Sequence, residues 1–247
     1  MKLWILIKQD FKNLITNSIT VTFCFFYPPI LVFIFGFLFS NLYGSNEITS
    51  YDFYGVTMMF YMILGAVTIT PNAFMEERIK QGNLRIAYSP VSRCQIYFSK
   101  LISSFVFMGT TFTVDMVIMQ VCGWVNFGGH NFIYVIGLML ALLAFTVAFG
   151  GAVCVLLKSE ELTNKILSII ATAFAVFSGV FFPIAGLGEW PDKISNLSPL
   201  KWVLTTIFQL IYDGSFKYYS ITLFSLISFT IAFIIIVHLN YHPEDYI

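Results

Sequence analysis

Long stretches without a charged side chain constrain this sequence more than any other feature. Between Lys12 and Glu47 there is no Asp, Glu, Lys or Arg. The same holds for Phe53–Met75, Leu101–Val114, Met116–Leu157, Ile166–Gly188 and Tyr218–Pro243. A helix needs roughly 20 apolar residues to cross a hydrocarbon core of about 30 Å. It also satisfies its own backbone polar groups where no water can. The run 116–157 is too long for one crossing and divides at Gly123-Trp-Val-Asn-Phe-Gly-Gly-His130, where glycine and polar residues cluster as in a turn. Six spans are thereby predicted, at about 20–42, 54–74, 98–122, 132–156, 165–186 and 219–239. The fold class is all-α integral membrane.

Composition closes the soluble alternatives. Only 11% of the residues are charged, against about 25% in a soluble domain, and the mean hydropathy is +0.82. Thirteen basic and thirteen acidic residues cannot cover a water-facing surface of this size. A disordered chain, a nucleic-acid binder and a disulfide-stapled secreted domain are excluded on the same grounds. Cys24, Cys122 and Cys154 fall in apolar spans and Cys94 in a basic loop, with no metal-ligand spacing between them; the three in spans read as small core residues.

Lysine and arginine set the predicted orientation. With the N-terminus in the cytoplasm, the inner segments hold ten of them (Lys2, Lys8, Lys12, Arg78, Lys80, Arg85, Arg93, Lys100, Lys158, Lys165) and the outer segments three (Lys193, Lys201, Lys217). An even number of spans brings the C-terminus back to the same side. The start is not a cleaved signal, because Pro28-Pro29 stands where a small-residue cleavage site belongs. Trp4, Ile7, Phe11, Leu14 and Ile15 recur at helical spacing, with Lys2, Gln9, Asp10, Lys12 and Asn13 around the other side. That pattern suits an interfacial helix over residues 1–18, its lysines near anionic headgroups; the alternative is a ragged start to the first span. Ala144, Ala148, Ala152 and Ala171, Ala175, Gly179 make stripes of small residues along which helices can approach closely, within one chain or between two.

Two connecting segments stand apart. The segment 75–97 is the most charged: Glu76-Glu77-Arg78, then Lys80-Gln81-Gly82-Asn83-Leu84-Arg85, then Ser89-Pro90-Val91-Ser92-Arg93. Gly82 can break a helix and Ser89-Pro90 can open another, which predicts a helix–turn–helix outside the bilayer; a solvated basic loop is the alternative. The segment 183–214 contains Pro183, Trp190-Pro191 and Asn196-Leu197-Ser198-Pro199-Leu200, followed by an apolar piece too short to cross. It suits a hairpin that re-enters the outer leaflet, or an amphipathic helix lying flat on it.

Taken together, Glu-Glu-Arg…Gly-Asn-Leu…Ser-Pro-Val-Ser…Lys and Ser178-Gly-Val-Phe-Phe-Pro183…Trp-Pro…Asn-Leu-Ser-Pro-Leu resemble the membrane-spanning subunit of a type-2 ABC exporter. The order of elements is similar too, over nearly the whole chain. Asn83, where many relatives carry threonine, and Ser99, often glycine, depart from the pattern and are discounted. The resemblance implies a permease half that pairs with a second copy or a similar subunit and with two cytoplasmic ATPases. Segment 75–97 becomes the coupling element, with Glu76, Glu77, Arg78 and Gly82 near the ATPase and Ser89-Pro90 opening the return helix. The hairpin, with Pro183, Trp190 and Pro199, becomes the outer gate. No cofactor is expected in this chain; ATP and Mg would be bound by the partner ATPase. The remaining implications are a plasma-membrane location, a bacterial source and contact with membrane lipids.

The residues agree with a permease lacking its own motor. Gly123 and Gly128 have phosphate-loop spacing, but Gly129 stands where lysine is required. Glu76-Glu77 is similar to the glutamate pair of intramembrane CAAX-type proteases, which need an arginine where Gln81 stands. Asp115 is the carboxylate well inside a span and marks a candidate for the translocation path, a packing residue or a partly hydrated group. His238 and His242 read as interfacial polar residues, without the zinc-protease pattern. Abundant aromatics and scarce charge suit an amphiphilic or hydrophobic cargo such as a drug, antimicrobial peptide or lipid-like molecule. A secondary transporter, a channel and a non-transporting immunity protein are the other readings.

Overall fold

The computed structural model describes residues 2–42, 48–181, 195–196 and 198–242. Pro183 and Trp190 lie outside the described residues, as do the side chains of Glu77 and Arg78. Among the described residues every regular element is helical. Five helices are long and apolar enough to cross a membrane: α2 (Ser18–Leu38), α3 (Ser50–Met75), α5 (Arg93–Val121), α6 (Gly129–Leu157) and α9 (Tyr219–Asn240). The others are α1 (Lys2–Ile15), α4 (Glu77–Ala87), α7 (Glu160–Phe177) and α8 (Pro199–Tyr212). Residues 166–177 of the charge-free run 166–188 lie in α7, which starts further back and carries Glu160, Glu161 and Lys165 in its first turns.

Local chemistry sets the breaks. Asn17 caps α2 by accepting from the amides of Ile19 and Thr20. Pro28 and Pro29 do not end α2. Lacking N–H groups, they withhold the donors for two preceding carbonyls, and the helix widens into a π turn at Thr22–Phe26, where the Tyr27 amide reaches Thr22 O. Thr49 and Asp52 form a capping box at the start of α3. The other oxygen of Asp52 accepts from the Asn126 amide at 2.7 Å, pinning the α5–α6 turn there. That turn falls at the glycine cluster, with Gly128 in the left-handed region at φ +95°.

The helix α3 is the axis of the bundle. Of its most apolar window 78% is buried against other helices, compared with 22% for α2 and 17% for α9, which leaves most of those two exposed. Midway, α3 tightens into a 3-10 turn at Ala66–Thr68. Pro71 has no N–H to give the Val67 carbonyl that an α-helix would pair with it. Gly150 of α6 packs against that carbonyl; a Cβ on Gly150 would stand 2.4 Å from Val67 O. Of the small residues in the two stripes, Ala148, Ala152 and Ala175 are buried inside the chain, whereas Ala144, Ala171 and Gly179 are half-exposed. Cys24 and Cys154 are core residues, whereas Cys122, at the end of α5, is exposed.

Both described chain ends lie at the α4 end of the bundle. Lys2 Nζ donates to Pro90 O at 2.8 Å, and Arg93 donates to His242 Nδ1 at 3.1 Å. The Tyr97 hydroxyl pairs with His238 Nδ1 at 2.9 Å, so the two histidines brace α9 against the start of α5. At the opposite end α8 packs through Leu200, Val203, Leu204, Ile207 and Leu210. Asn131 donates to Leu210 O at 3.1 Å, and Phe53 stacks on Phe208.

Candidate coupling site

The charged segment after α3 forms one helix. The chain turns at Glu76 and α4 runs Glu77–Ala87 without interruption at Gly82. A glycine costs a helix only about 1 kcal/mol relative to alanine, and Leu84, Arg85 and their neighbours are good helix formers. Nothing lies within 4 Å of where a Gly82 Cβ would sit. Gly82→Ala is therefore expected to stabilise the folded chain by about 1 kcal/mol, measurable as a rise in thermal unfolding temperature in detergent. Ser89-Pro90 does not open the return helix either. The Ser89 hydroxyl donates to Ile86 O at 2.7 Å, closing α4. Ser92 caps α5 instead, in a capping box with Gln95.

A buried ionic knot fastens this segment to the bundle. Lys100, two turns into α5, is only 2% exposed. Its Nζ donates to Ala73 O at the end of α3 (2.8 Å) and to Asn83 Oδ1 of α4 (3.0 Å). It lies 3.8 Å from Asp10 Oδ1 of α1 and 5.8 Å from the centre of the Phe74 ring. Asn83 Nδ2 donates in turn to Phe74 O at 3.0 Å. Ser99 Oγ donates to Asp10 Oδ2 at 2.5 Å. An ammonium has three N–H donors and no acceptor, and here three acceptors from three other elements surround it. A fully buried lysine is rare unless paired, because the bare charge costs several kcal/mol of lost hydration.

The helix α1 and the joint that follows it brace the same segment at three places. Lys2 holds Pro90 O, Asp10 holds Ser99 and faces Lys100, and Asn17 Nδ2 donates to both carboxylate oxygens of Glu76, at 3.1 and 3.3 Å. Glu76 is thus turned toward the α1–α2 joint. Asp10 was expected on the polar side of α1, yet it is 6% exposed and lies on the docked face with Leu14. Trp4, expected on the apolar face, is 72% exposed. Asp10 falls between Ile7 and Leu14 at helical spacing, the signal that could have placed it. Asn83 and Ser99, discounted as departures from a pattern, both make direct contacts in the knot.

The remaining candidates lie elsewhere. Gly82, Arg85 and Tyr88 present an exposed face on α4. Asp115 is deep in α5 and buried, and its Oδ2 has no hydrogen-bond partner among the described residues. Pro199 opens α8 at its first turn, where its missing N–H does no harm. Pro199 and Leu200 line an apolar cavity of about 240 Å³ with Leu64 and Val67 of α3.

A bundle of apolar helices with a charged helix fastened to one end by buried polar and ionic contacts is the architecture of a multi-pass membrane protein. The family model of the ABC-2 type transporter matches residues 1–212, and the chain belongs to that family. The family is the transmembrane permease component of ABC transporters, which work with cytoplasmic ABC ATPases. No curated protein matches the chain.

Proposed function

We propose that this chain is the permease subunit of an ATP-driven exporter with six spans, both termini cytoplasmic, paired with a second permease and powered by separate ATPases that bind ATP and Mg. The observation that carries the reading is the fastening of α4 to α1, α3 and α5 through Lys100 and Asn83. A helix that receives force must be held rigidly to the spans that move, and the change reaches the far side as a rigid-body movement. Ten of the thirteen lysines and arginines belong to segments at the α4 end, which supports a cytoplasmic placement for it.

Parity supports six spans. Asn164, near the start of α7, bonds Asn72 at the α4 end of α3, while Phe181, past its other end, accepts from Tyr54 near the opposite end of α3. With both described chain ends on one side, these contacts support α7 as a further crossing, which makes six. The re-entrant reading of 183–214 is supported by α8. Its first residues sit level with Leu64, about 21 Å along α3 from Ser50 at 1.5 Å per residue, and its last turn reaches Asn131. Pro183, Trp190 and Pro199 belong to the proposed outer gate. The cargo is an amphiphilic or hydrophobic molecule moved outward across the plasma membrane of a bacterial cell.

Two experiments test this reading. The tagged chain is purified in mild detergent: an ABC ATPase copurifies, and Arg85→Glu with Tyr88→Ala removes it while the chain's yield is unchanged. These exposed residues report the contact better than Glu76, whose loss also frees Asn17. If no ATPase copurifies even after crosslinking in native membranes, the exporter reading fails. Asp115 is proposed to belong to the translocation path, because an ionisable group in a span costs about 2.5–3.5 kcal/mol on insertion scales and is retained for a function. Asp115→Asn lowers export of cargo at unchanged abundance; unchanged export of every tested compound removes Asp115 from the path.

A further inference from the structure

We propose that Lys100 is a positioning residue for energy transfer. Its buried ammonium locks α4, the end of α3, α1 and the start of α5 into one body, so that a displacement imposed on α4 reaches the spans without being absorbed at the joint. The inference rests on the reading of α4 as the ATPase contact. A lysine serving only as a topological anchor has no need to leave water; Lys8 and Lys12 of α1 are exposed, as is Lys165, whose partner Glu161 lies one turn away on its own helix. Lys100 instead takes its partners from three other elements, at the cost of its hydration.

Each contact closes a different joint. Ala73 O is the end of α3 just before the chain turns at Glu76, so the bond holds the hinge from inside. Asn83 lies in the middle of α4 and uses both ends of its amide, accepting from Lys100 and donating to Phe74 O, which fixes the rotation of α4 as well as its position. Asp10 lies in the middle of the docked face of α1 and is held by Ser99, the residue preceding Lys100. The outward side of α4, at Gly82, Arg85 and Tyr88, is left exposed. A helix gripped on one face and open on the other moves with what grips it.

Lys100→Met alone strands the Asp10 carboxylate and can impair folding for that reason. Two other changes avoid this. Asn83→Leu cuts both links that Asn83 makes from α4, to Lys100 and to Phe74 O, and leaves Lys100 with Asp10 and Ala73 O. Asp10→Leu with Lys100→Met removes both charges, a replacement that buried pairs often tolerate. Spin labels are placed on Gly82→Cys in α4 and Val121→Cys at the far end of α5, after Cys94 and Cys122 are changed to serine. The distance between them is measured in the complex with the copurified ATPase, without nucleotide and after trapping with MgATP and vanadate.

With the knot intact, one narrow distance is expected in both states. In Asn83→Leu and in the double variant the distribution broadens, and it shifts on trapping, although chain abundance and ATPase copurification match the unaltered knot. A nucleotide-dependent shift with the knot intact overturns the proposal, and so does a narrow, unchanging distance in both variants. Absence of a copurifying ATPase defeats the functional reading instead; the nucleotide-free widths then still decide whether Lys100 and Asn83 lock α4 to α5.

Discussion

Lys100→Met is expected to be among the most damaging single substitutions in this chain. Breaking a buried ion pair by removing one partner costs about 3–5 kcal/mol, because the remaining charge stays buried and uncompensated. Here that charge is Asp10, 6% exposed and 3.8 Å from the ammonium. Ala73 O and Asn83 Oδ1 lose the same donor, and each unsatisfied buried acceptor adds about 1–3 kcal/mol. The measurement is the fraction of chain remaining folded and monodisperse in detergent as temperature rises. Adding Asp10→Leu should recover most of the loss, since the stranded charge is then gone. Equal instability of the single and double variants would show that packing of the lysine stem, not the ionic knot, holds this end together.

Gly150→Leu should have an effect of similar size for a steric reason. A Cβ at Gly150 already stands 2.4 Å from Val67 O and 3.3 Å from the carbonyl carbon. The obstacle is backbone, which cannot swing aside as a side-chain end does. Inserting bulk into a packed core costs about 1–3 kcal/mol and occasionally more, and here α6 and the central helix α3 must separate at the 3-10 turn. Gly150→Ala should show much of the penalty, whereas Gly82→Ala, with nothing within 4 Å, shows none. Equal thermal stability of the Gly150→Ala and unaltered chains would contradict the close approach of α3 and α6.

The spans were legible because lipid demands long uncharged runs, and few other structures do. The five helices that meet that demand coincide with five of the six predicted runs. The run beginning at Ile166 is harder to read because α7 starts at Glu160, before the charge-free stretch, and ends at Phe177, within it. Pro28-Pro29 shows where local rules stop: a proline pair breaks most helices, but a π turn absorbs it here. Charge identified the segment holding α4 but not the residues that matter in it. Asp10 and Lys100 each look like an ordinary interfacial charge on its own helix, and only tertiary packing brings them together. Asn83 and Ser99 were passed over because matching residue types to a pattern says nothing about what each side chain touches. Propensity alone lets Gly82 break a helix, but the neighbouring helix formers outweigh one glycine.

The proposed function requires that an ATPase engage α4, at the end of the bundle opposite Val121. The most direct measurement places a photo-crosslinking amino acid at Gly82 or, separately, at Val121, irradiates native membranes and identifies what is captured. Both positions are exposed, Val121 at 80%. An ABC ATPase is expected to be captured from Gly82 and not from Val121. Capture from Val121, or no ATPase from Gly82 in membranes where the chain is abundant, would contradict it.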